Sequence, residues 1–368
     1  MPVPFRLQQW CCALALAAGA SATQAAPAAP DPLVFRFDFA FAQEASLAMK
    51  DGEIDAQEAE RIVKLPAAAA MVRKLKLKDS NALIEFLRKQ AAGAKTKEAA
   101  AIVAAEFSRT DGGGYAQVAA EVTQMLKQYV PAQFSAKLNV YFIFGGSSGG
   151  FAFDDNADDV YVNLARFSKA TSTDLAETVA HELFHAVQSH VMSSPPRPAP
   201  GAAQAATGPV WMNRLLYDLL QEGTAELLTH PVANRPASAH SARNVARIER
   251  NMGRMSGLMT LLETTAFRLL HTPPRDEDQY DGIYGLLFYG DYDEPAYDIG
   301  WTMASAIEKN DGRPAIFALL RSPPKQFILR YQQLAAADRA LPRFSDEFIA
   351  AVRALGPESQ PAKPPAHN

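Results

Sequence analysis

Two histidines and a glutamate near the middle of the chain have the spacing of a metal-binding helix. Residues 181–185 read H-E-x-x-H, with His181 and His185 enclosing Glu182. On an α-helix four residues advance the chain by about 400°, so both histidines project from one face and can turn ring nitrogens onto one metal ion. Glu182 lies beside them, where its carboxylate can take a proton from a metal-bound water. The pattern predicts the chemistry of a metal-dependent hydrolase.

The sequence around the motif favours the helix that this chemistry requires. Ser172 or Thr173 can cap its N-terminus. Apolar residues recur at helical spacing and predict a face buried in the core: Leu175, Val179, Leu183, Ala186 and Val187. A core helix with two chance histidines is the alternative. Burying a glutamate and two histidines on one side of an apolar helix without a ligand is costly, so we favour the metal site.

Two histidines leave a zinc ion short of ligands, and the segment 220–228 offers a third. Glu222 and Glu226 lie four residues apart on one face of a second predicted helix. One carboxylate can bind the metal while the other accepts the outer N–H of a ligand histidine. Gly223 would let another backbone approach closely. A stripe of glutamates facing solvent is the alternative.

Together these motifs carry a family resemblance. H-E-x-x-H at 181–185 and E-G-x-A at 222–225 resemble the gluzincin class of zinc metallopeptidases, and the later Y-x-x-G at 297–300 is similar to uncharacterised bacterial families of zinc-dependent peptidases. The resemblance covers roughly residues 138–320. It implies a Zn²⁺ cofactor, Glu222 as the third ligand and Glu226 as the outer partner of His181. The spacing between the motifs is longer than in the common gluzincin aminopeptidases, and no G-A-M-E-N-like stretch is present.

A tyrosine is the expected helper in the transition state. Attack on an amide builds negative charge on the carbonyl oxygen, which a hydrogen-bond donor can stabilise. The segment 278–298 is crowded with tyrosines and acids, and Tyr297 lies just before a predicted helix. The resemblance also indicates Tyr297, so we predict it as the donor, with Tyr289 as the second candidate and a core-packing tyrosine as the alternative. His230 and His271 border prolines at predicted helix ends and are interpreted as ordinary terminal histidines.

Composition and the N-terminus indicate a soluble, exported protein. The 368 residues are 48% hydrophobic and 21% charged, and the formal net charge of −4 gives no sign of a nucleic-acid surface. Arg6, an apolar run at 10–18 and small residues up to Ala26 predict a cleavable signal peptide over residues 1–26. No later run is long enough to cross a membrane. Cys11 and Cys12 lie inside that signal, so a secreted or periplasmic chain without disulfides is expected.

The pattern along the chain predicts an α+β fold that is predominantly helical. Two β-rich runs precede the motif helix, which predicts a small mixed sheet packed on the H-E-x-x-H helix, zincin-like by the resemblance. Residues 193–209 are rich in proline and alanine and are expected to be irregular, with the next helix starting near Val210. Predicted helices elsewhere cover 41–49, 56–65, 67–75, 80–90, 98–107, 115–129, 314–320, 325–334 and 345–355. The predicted domains are an N-terminal helical region at 27–130, a catalytic domain at 131–356 and a disordered tail at 357–368.

These observations lead us to expect a secreted zinc-dependent peptidase. His181, His185 and Glu222 would hold the metal, and Glu182 would act as general base and carry the proton to the leaving amine. The partner would be a peptide or protein substrate, and no sequence feature sets an oligomeric state. Two alternatives stay open at this stage: a catalytically inactive protein that binds zinc and a peptide, and a zinc hydrolase of a non-peptide amide or ester.

Overall fold

The protein folds as a predominantly helical α+β structure, as predicted. The computed structural model describes residues 33–109, 114–153, 155–199, 201–202, 204–229, 238 and 240–356. The predicted signal peptide, the predicted tail and His230 lie outside the described residues. One continuous hydrophobic cluster extends from Phe41 in the first helix to Leu355 after the last.

A four-stranded mixed sheet lies beside the motif helix. Its strands are β1 (Val34–Asp38), β2 (Lys137–Ile143), β3 (Gly150–Phe153) and β4 (Asn156–Asn163), in the order β1-β2-β4-β3. The first three strands in that order run parallel, and β3 is antiparallel to β4 at one edge. β1 lies in the region predicted to be helical, where the alternating sequence V-F-R-F-D was not recognised as a strand. β1 and β2 lie on opposite sides of the predicted domain boundary at residue 130, yet they pair in one sheet. The division of the chain into two domains there stays a prediction.

In the described residues between β1 and β2 there are six α-helices, and each overlaps a segment predicted as helical. They are α1 (Ala40–Met49), α2 (Ala56–Val63), α3 (Pro66–Lys74), α4 (Ser80–Ala91), α5 (Ala94–Phe107) and α6 (Tyr115–Tyr129). Most breaks between them fall at a proline or a glycine, as the local sequence predicts, but the break between α3 and α4 has neither and contains Lys76 with a positive φ. The ring of Phe39 stacks at 4.1 Å on that of Phe142 in β2, so this helical region packs directly on the sheet.

The motif helix is α7 (Ser172–Val191), and its N-terminus is capped one residue earlier than predicted. Thr171 Oγ1 accepts from the Asp174 N–H at 3.1 Å, and Asp174 Oδ2 accepts from the Thr171 N–H at 2.9 Å. This capping box satisfies two N–H groups that the helix itself leaves free. The five apolar residues of the predicted face are each at most 3% exposed, which confirms that this face is buried.

The second motif helix, α8 (Gln204–Ala225), begins earlier than predicted and contains Pro209. The expectation of an irregular segment up to residue 209 was therefore wrong for its last six residues. A Cβ at Gly208 would overlap the Leu270 carbonyl, so the backbone packs closely there on a neighbouring helix. Tertiary packing of this kind overrides the local preference of proline for a helix end.

Seven further α-helices follow α8 in the part of the chain that the structure describes. They are α9 (Ala242–Gly253), α10 (Met255–His271), α11 (Glu277–Phe288), α12 (Pro295–Asp311), α13 (Arg313–Leu320), α14 (Lys325–Ala337) and α15 (Asp346–Ala354). The last three confirm the predicted closing helices. His271 is the final residue of α10, as expected for an ordinary terminal histidine. Within the described part of the chain, none of the helices combines the length and apolar character needed to cross a bilayer.

Candidate metal centre

Close contact between two helix backbones sets the position of the predicted third ligand. A Cβ built on Gly300 of α12 would lie 2.6 Å from the Cα of Gly223 in α8, so no side chain fits between the helices at this point. The prediction that Gly223 allows another backbone to approach is confirmed. Glu222 of α8 and Tyr297 of α12 each lie within one helical turn of this contact between the two helices.

The structure brings the three predicted ligands together. His181 Nε2 lies 3.0 Å from His185 Nε2, and Glu222 Oε2 lies 3.3 Å and 3.2 Å from these two nitrogens. The side chains of His181 and Glu222 are each 14% exposed, and that of His185 is 20% exposed. Helices α7 and α8 thus form a partly buried group of three donor atoms, one from each residue.

These three atoms fit a zinc ion. Ligands bound tetrahedrally at 2.0–2.1 Å are about 3.3 Å from one another, which is close to the separations found here. Glu222 Oε2 is buried and has no well-aligned hydrogen-bond donor among the described residues, although it faces two ring nitrogens. A buried carboxylate oxygen in this state is costly unless a cation or a proton meets it.

The electrostatics of the site favour positive charge at the point where the three atoms meet. Burial acts to lower the pKa of His185, but the Glu222 and Glu182 carboxylates and the hydrogen bond to Gln188 together outweigh burial and raise that pKa to about 9. Burial acts in the opposite direction on Glu222, yet the two histidines hold the pKa of its carboxyl group well below the usual range. The carboxylate is therefore ionised and ready to act as a ligand.

Each histidine has an outer partner on its other ring nitrogen. Glu226, in the 3₁₀ turn that follows α8, places Oε1 3.5 Å from His181 Nδ1, the contact that the resemblance implied. For His185 the partner is Gln188, whose Oε1 lies 2.7 Å from Nδ1. Sequence reasoning missed Gln188, although a residue three positions after a ligand on the same helix face is placed to contact it.

Gln188 fixes the orientation of the His185 ring. Its side-chain amide is only 1% exposed, and its Nε2 donates to the Gln221 carbonyl and to Thr224 Oγ1, both at 2.8 Å. Because Nε2 is the donor, Oε1 must accept from His185, which places the ring proton on Nδ1. In the neutral ring the lone pair is then on Nε2, the atom that faces Glu222 Oε2 and that would bind a metal ion.

Glu182 lies against the edge of the sheet. A Cβ built on Gly150, the first residue of β3, would lie 3.7 Å from Glu182 Cδ. The Glu182 side chain therefore lies close to the first residue of the edge strand, and its charge also acts on the neighbouring His185. The role of Glu182 as the base stays a prediction.

Of the two candidate tyrosines, Tyr297 is the one at the site. Its ring packs on that of His181 with centroids 6.2 Å apart, whereas Tyr289 is 49% exposed. Burial, and then the Glu222 charge, raises the pKa of Tyr297 well above 10. A second tyrosine, Tyr284, was not singled out from the sequence. Burial and then the same carboxylate also raise the pKa of Tyr284, which places its hydroxyl group in the electrostatic field of the site.

Comparison with protein families agrees with this geometry. Residues 60–340 match a family whose description names a zinc-dependent activity, and the matched segment contains all of the predicted site residues. It begins in α2, well before the predicted catalytic domain. No curated protein and no solved structure matches the chain significantly. The chain therefore belongs to the family described as "putative zinc dependent peptidase" (DUF5700).

Proposed function

We propose that the protein is a zinc peptidase in which His181, His185 and Glu222 hold the metal. The convergence of their donor atoms to within 3.3 Å carries this proposal. A bound Zn²⁺ supplies a Lewis acid that polarises a carbonyl group and lowers the pKa of a coordinated water to about 7. Glu226 and Gln188 orient the two histidines, so that each presents its Nε2 lone pair to the centre.

An extended peptide is the substrate that the surroundings fit best. β3 is the outermost strand of the sheet, and among the described residues its second edge has no strand partner. A peptide that pairs with this edge would pass directly over Glu182, because Gly150 begins the strand and lies against that carboxylate. Backbone pairing of this kind requires an amide chain and favours a peptidase over a hydrolase of small esters.

In this proposal Glu182 transfers the proton, and Tyr297 stabilises the negative charge that develops on the carbonyl oxygen. Glu182 takes a proton from the attacking water and delivers it to the leaving amine. Tyr297 packs on a ligand histidine and, as a neutral phenol, donates a hydrogen bond to the developing oxyanion. Both groups are partly enclosed, which strengthens their electrostatic effect.

The sharpest test compares the wild type with Glu182→Gln on a synthetic peptide library, with zinc content measured for both. We expect the variant to keep its zinc and to lose about 10²–10⁴-fold in kcat/KM. Glu249→Gln, a change at an exposed position of α9, is the matched control and should behave as the wild type. Equal zinc with equal, non-zero turnover would remove Glu182 as the base. A zinc-loaded wild type that cleaves only small amides or esters, or nothing, would favour one of the two alternatives.

We also propose that the protein is exported through residues 1–26. The support is the sequence of that segment alone, with one arginine, a short apolar core and small residues at the predicted cut. N-terminal sequencing of the mature protein from the native host tests this directly. A start near Ala26 or Pro27 is expected, and a mature chain beginning at Met1 would contradict it.

A further inference from the structure

Two consecutive residues before α12 adopt a backbone conformation that side chains rarely take. Asp293 and Glu294 have φ of +66° and +48°, and Lys76 is the one other non-glycine residue with positive φ in the described part of the chain. Left-handed residues with a Cβ are disfavoured and persist only where the surroundings hold them. This pair lies directly before the helix that carries Tyr297, so whatever holds it also sets the start of that helix.

Helix α9 provides the groups that hold the pair. Arg247 Nη1 donates to the Asp293 carbonyl at 3.2 Å and to Asp298 Oδ2 at 3.0 Å, and its Nε lies 3.4 Å from Glu294 Oε2. Asn251, one turn further along, donates through Nδ2 to the same Asp293 carbonyl at 2.7 Å and the same Asp298 oxygen at 2.6 Å. The Arg247 side chain is 11% exposed and Asn251 is fully buried, so these hydrogen bonds are shielded from water.

The residues that α9 contacts lie on both sides of Tyr297 in the sequence. Asp293 and Glu294 precede it, Asp298 follows it directly, and α9 binds all three. We infer that Arg247 positions Tyr297 against His181, so that α9 is part of the apparatus that aims the oxyanion donor. This inference rests on the proposed function of the site.

Two further arginines, Arg250 in α9 and Arg254 just after it, lie near Asp293 and serve for comparison, since they differ from Arg247 in burial and in the groups that they contact. Arg250 and Arg254 also contact the Asp293 carboxylate, each at 2.8 Å, but their side chains are 55% and 49% exposed. Exposed ion pairs of this kind contribute little because water and salt screen them. The Asp293 and Asp298 carboxylates are therefore paired with arginines, Asp298 with the buried Arg247 and Asp293 with the exposed pair.

The first arm of the test needs no enzymatic activity. Hydrogen exchange by mass spectrometry on Arg247→Met, Arg247→Lys and Arg250→Met reports how firmly residues 289–298 are held. We expect faster exchange in this segment for Arg247→Met, an intermediate rate for Arg247→Lys and the wild-type rate for Arg250→Met. Unchanged exchange in both Arg247 variants would overturn the inference. If Arg247→Met does not fold, the exchange rates of Arg247→Lys and Arg250→Met are compared instead, and they decide whether Arg247 holds the segment.

The second arm is a double-mutant cycle with Tyr297→Phe on a peptide substrate. Misplacing a reacting group by about 1 Å can cost on the order of 10²-fold, so Arg247→Met should lower kcat by about this factor with little change in KM. The double variant should be no slower than Tyr297→Phe alone, because the positioned group is already absent. Multiplicative losses would show that Arg247 acts elsewhere. A wild type without peptidase activity would overturn the proposed function, while the exchange arm would still decide whether α9 holds the segment.

Discussion

Gly223 of α8 and Gly300 of α12 meet backbone to backbone. A Cβ on Gly300 would lie 2.6 Å from the Cα of Gly223, a distance that real side chains do not tolerate, and 3.0 Å from the Leu219 carbonyl oxygen. Because the two helices touch here, Glu222 reaches His181 from one helix and Tyr297 reaches it from the other. Helix packing at one point thus determines the geometry of the candidate site.

Replacing Gly223 by alanine should separate these helices. We expect a loss of about 1–3 kcal/mol in the free energy of unfolding, since the backbone must shift to admit the methyl group, together with weaker zinc binding because Glu222 moves. Gly282→Ala in α11 is the matched control. No atom lies within 4 Å of its built Cβ, so alanine should stabilise that exposed helical position by roughly 0.5–1 kcal/mol. Denaturant unfolding measures both, and equal effects at the two positions would contradict the packing argument.

Gln188 gives a prediction about metal affinity. Gln188→Leu keeps the approximate volume of the side chain but removes the acceptor that holds His185 Nδ1 at 2.7 Å. Loss of an outer partner of a metal-bound histidine typically costs about 10–100-fold in affinity, and we expect this range for zinc measured by chelator competition. Ser189→Ala changes the next residue, which is exposed and bonds only within its own helix, and should leave affinity unchanged. An unaltered dissociation constant for Gln188→Leu would show that the ring needs no such support.

Because the Asp218 carboxyl group is buried, we expect the stability of the protein to depend on pH. Burial raises the pKa of its carboxyl group to about 6, against the opposing effects of Arg214 and the Tyr280 hydroxyl group that donates to it at 2.6 Å. The folded state therefore keeps this proton to a higher pH than the unfolded chain, whose ordinary value is 3.8. Stability contributed by the protonated form is full below about pH 4 and is lost as the pH rises through about 6.

The matched variant for this effect is Asp218→Asn, which cannot titrate. Between about pH 4 and pH 7 the free energy of unfolding of the wild type should fall by roughly 2 kcal/mol relative to the variant. Chemical denaturation at several pH values measures both curves, and the comparison cancels titrations elsewhere in the chain. Parallel curves would mean that Asp218 is already ionised in the folded state throughout this range.

Local patterns were enough to predict the motif helix and its two candidate metal ligands. The spacing of His181 and His185 needs only helical geometry, and the buried face of α7 follows from the period of its apolar residues. Glu222 and Glu226 could be recognised as a pair, but their order came from the resemblance to zinc peptidases. In the structure Glu222 faces both Nε2 atoms and Glu226 faces the outer nitrogen of His181, and their roles stay predictions.

Features that depend on distant residues could not be read from the sequence. β1 is a strand because it pairs with β2, about a hundred residues away in the chain, and the early start of α8 depends on packing against Leu270. The role of Arg247 depends on a contact with a segment 46 residues later. In each case tertiary contacts decided between conformations that local propensity left nearly equal.

Zinc binding by wild type, Glu222→Gln and Glu226→Gln, measured by elemental analysis and chelator competition on the purified proteins, tests the central claim most directly. We predict one zinc per wild-type chain, a loss of affinity of more than about 100-fold for Glu222→Gln and a smaller loss, about 10–100-fold, for Glu226→Gln. A wild type that binds no zinc, or a Glu222→Gln variant that binds it as tightly as the wild type, would contradict the account.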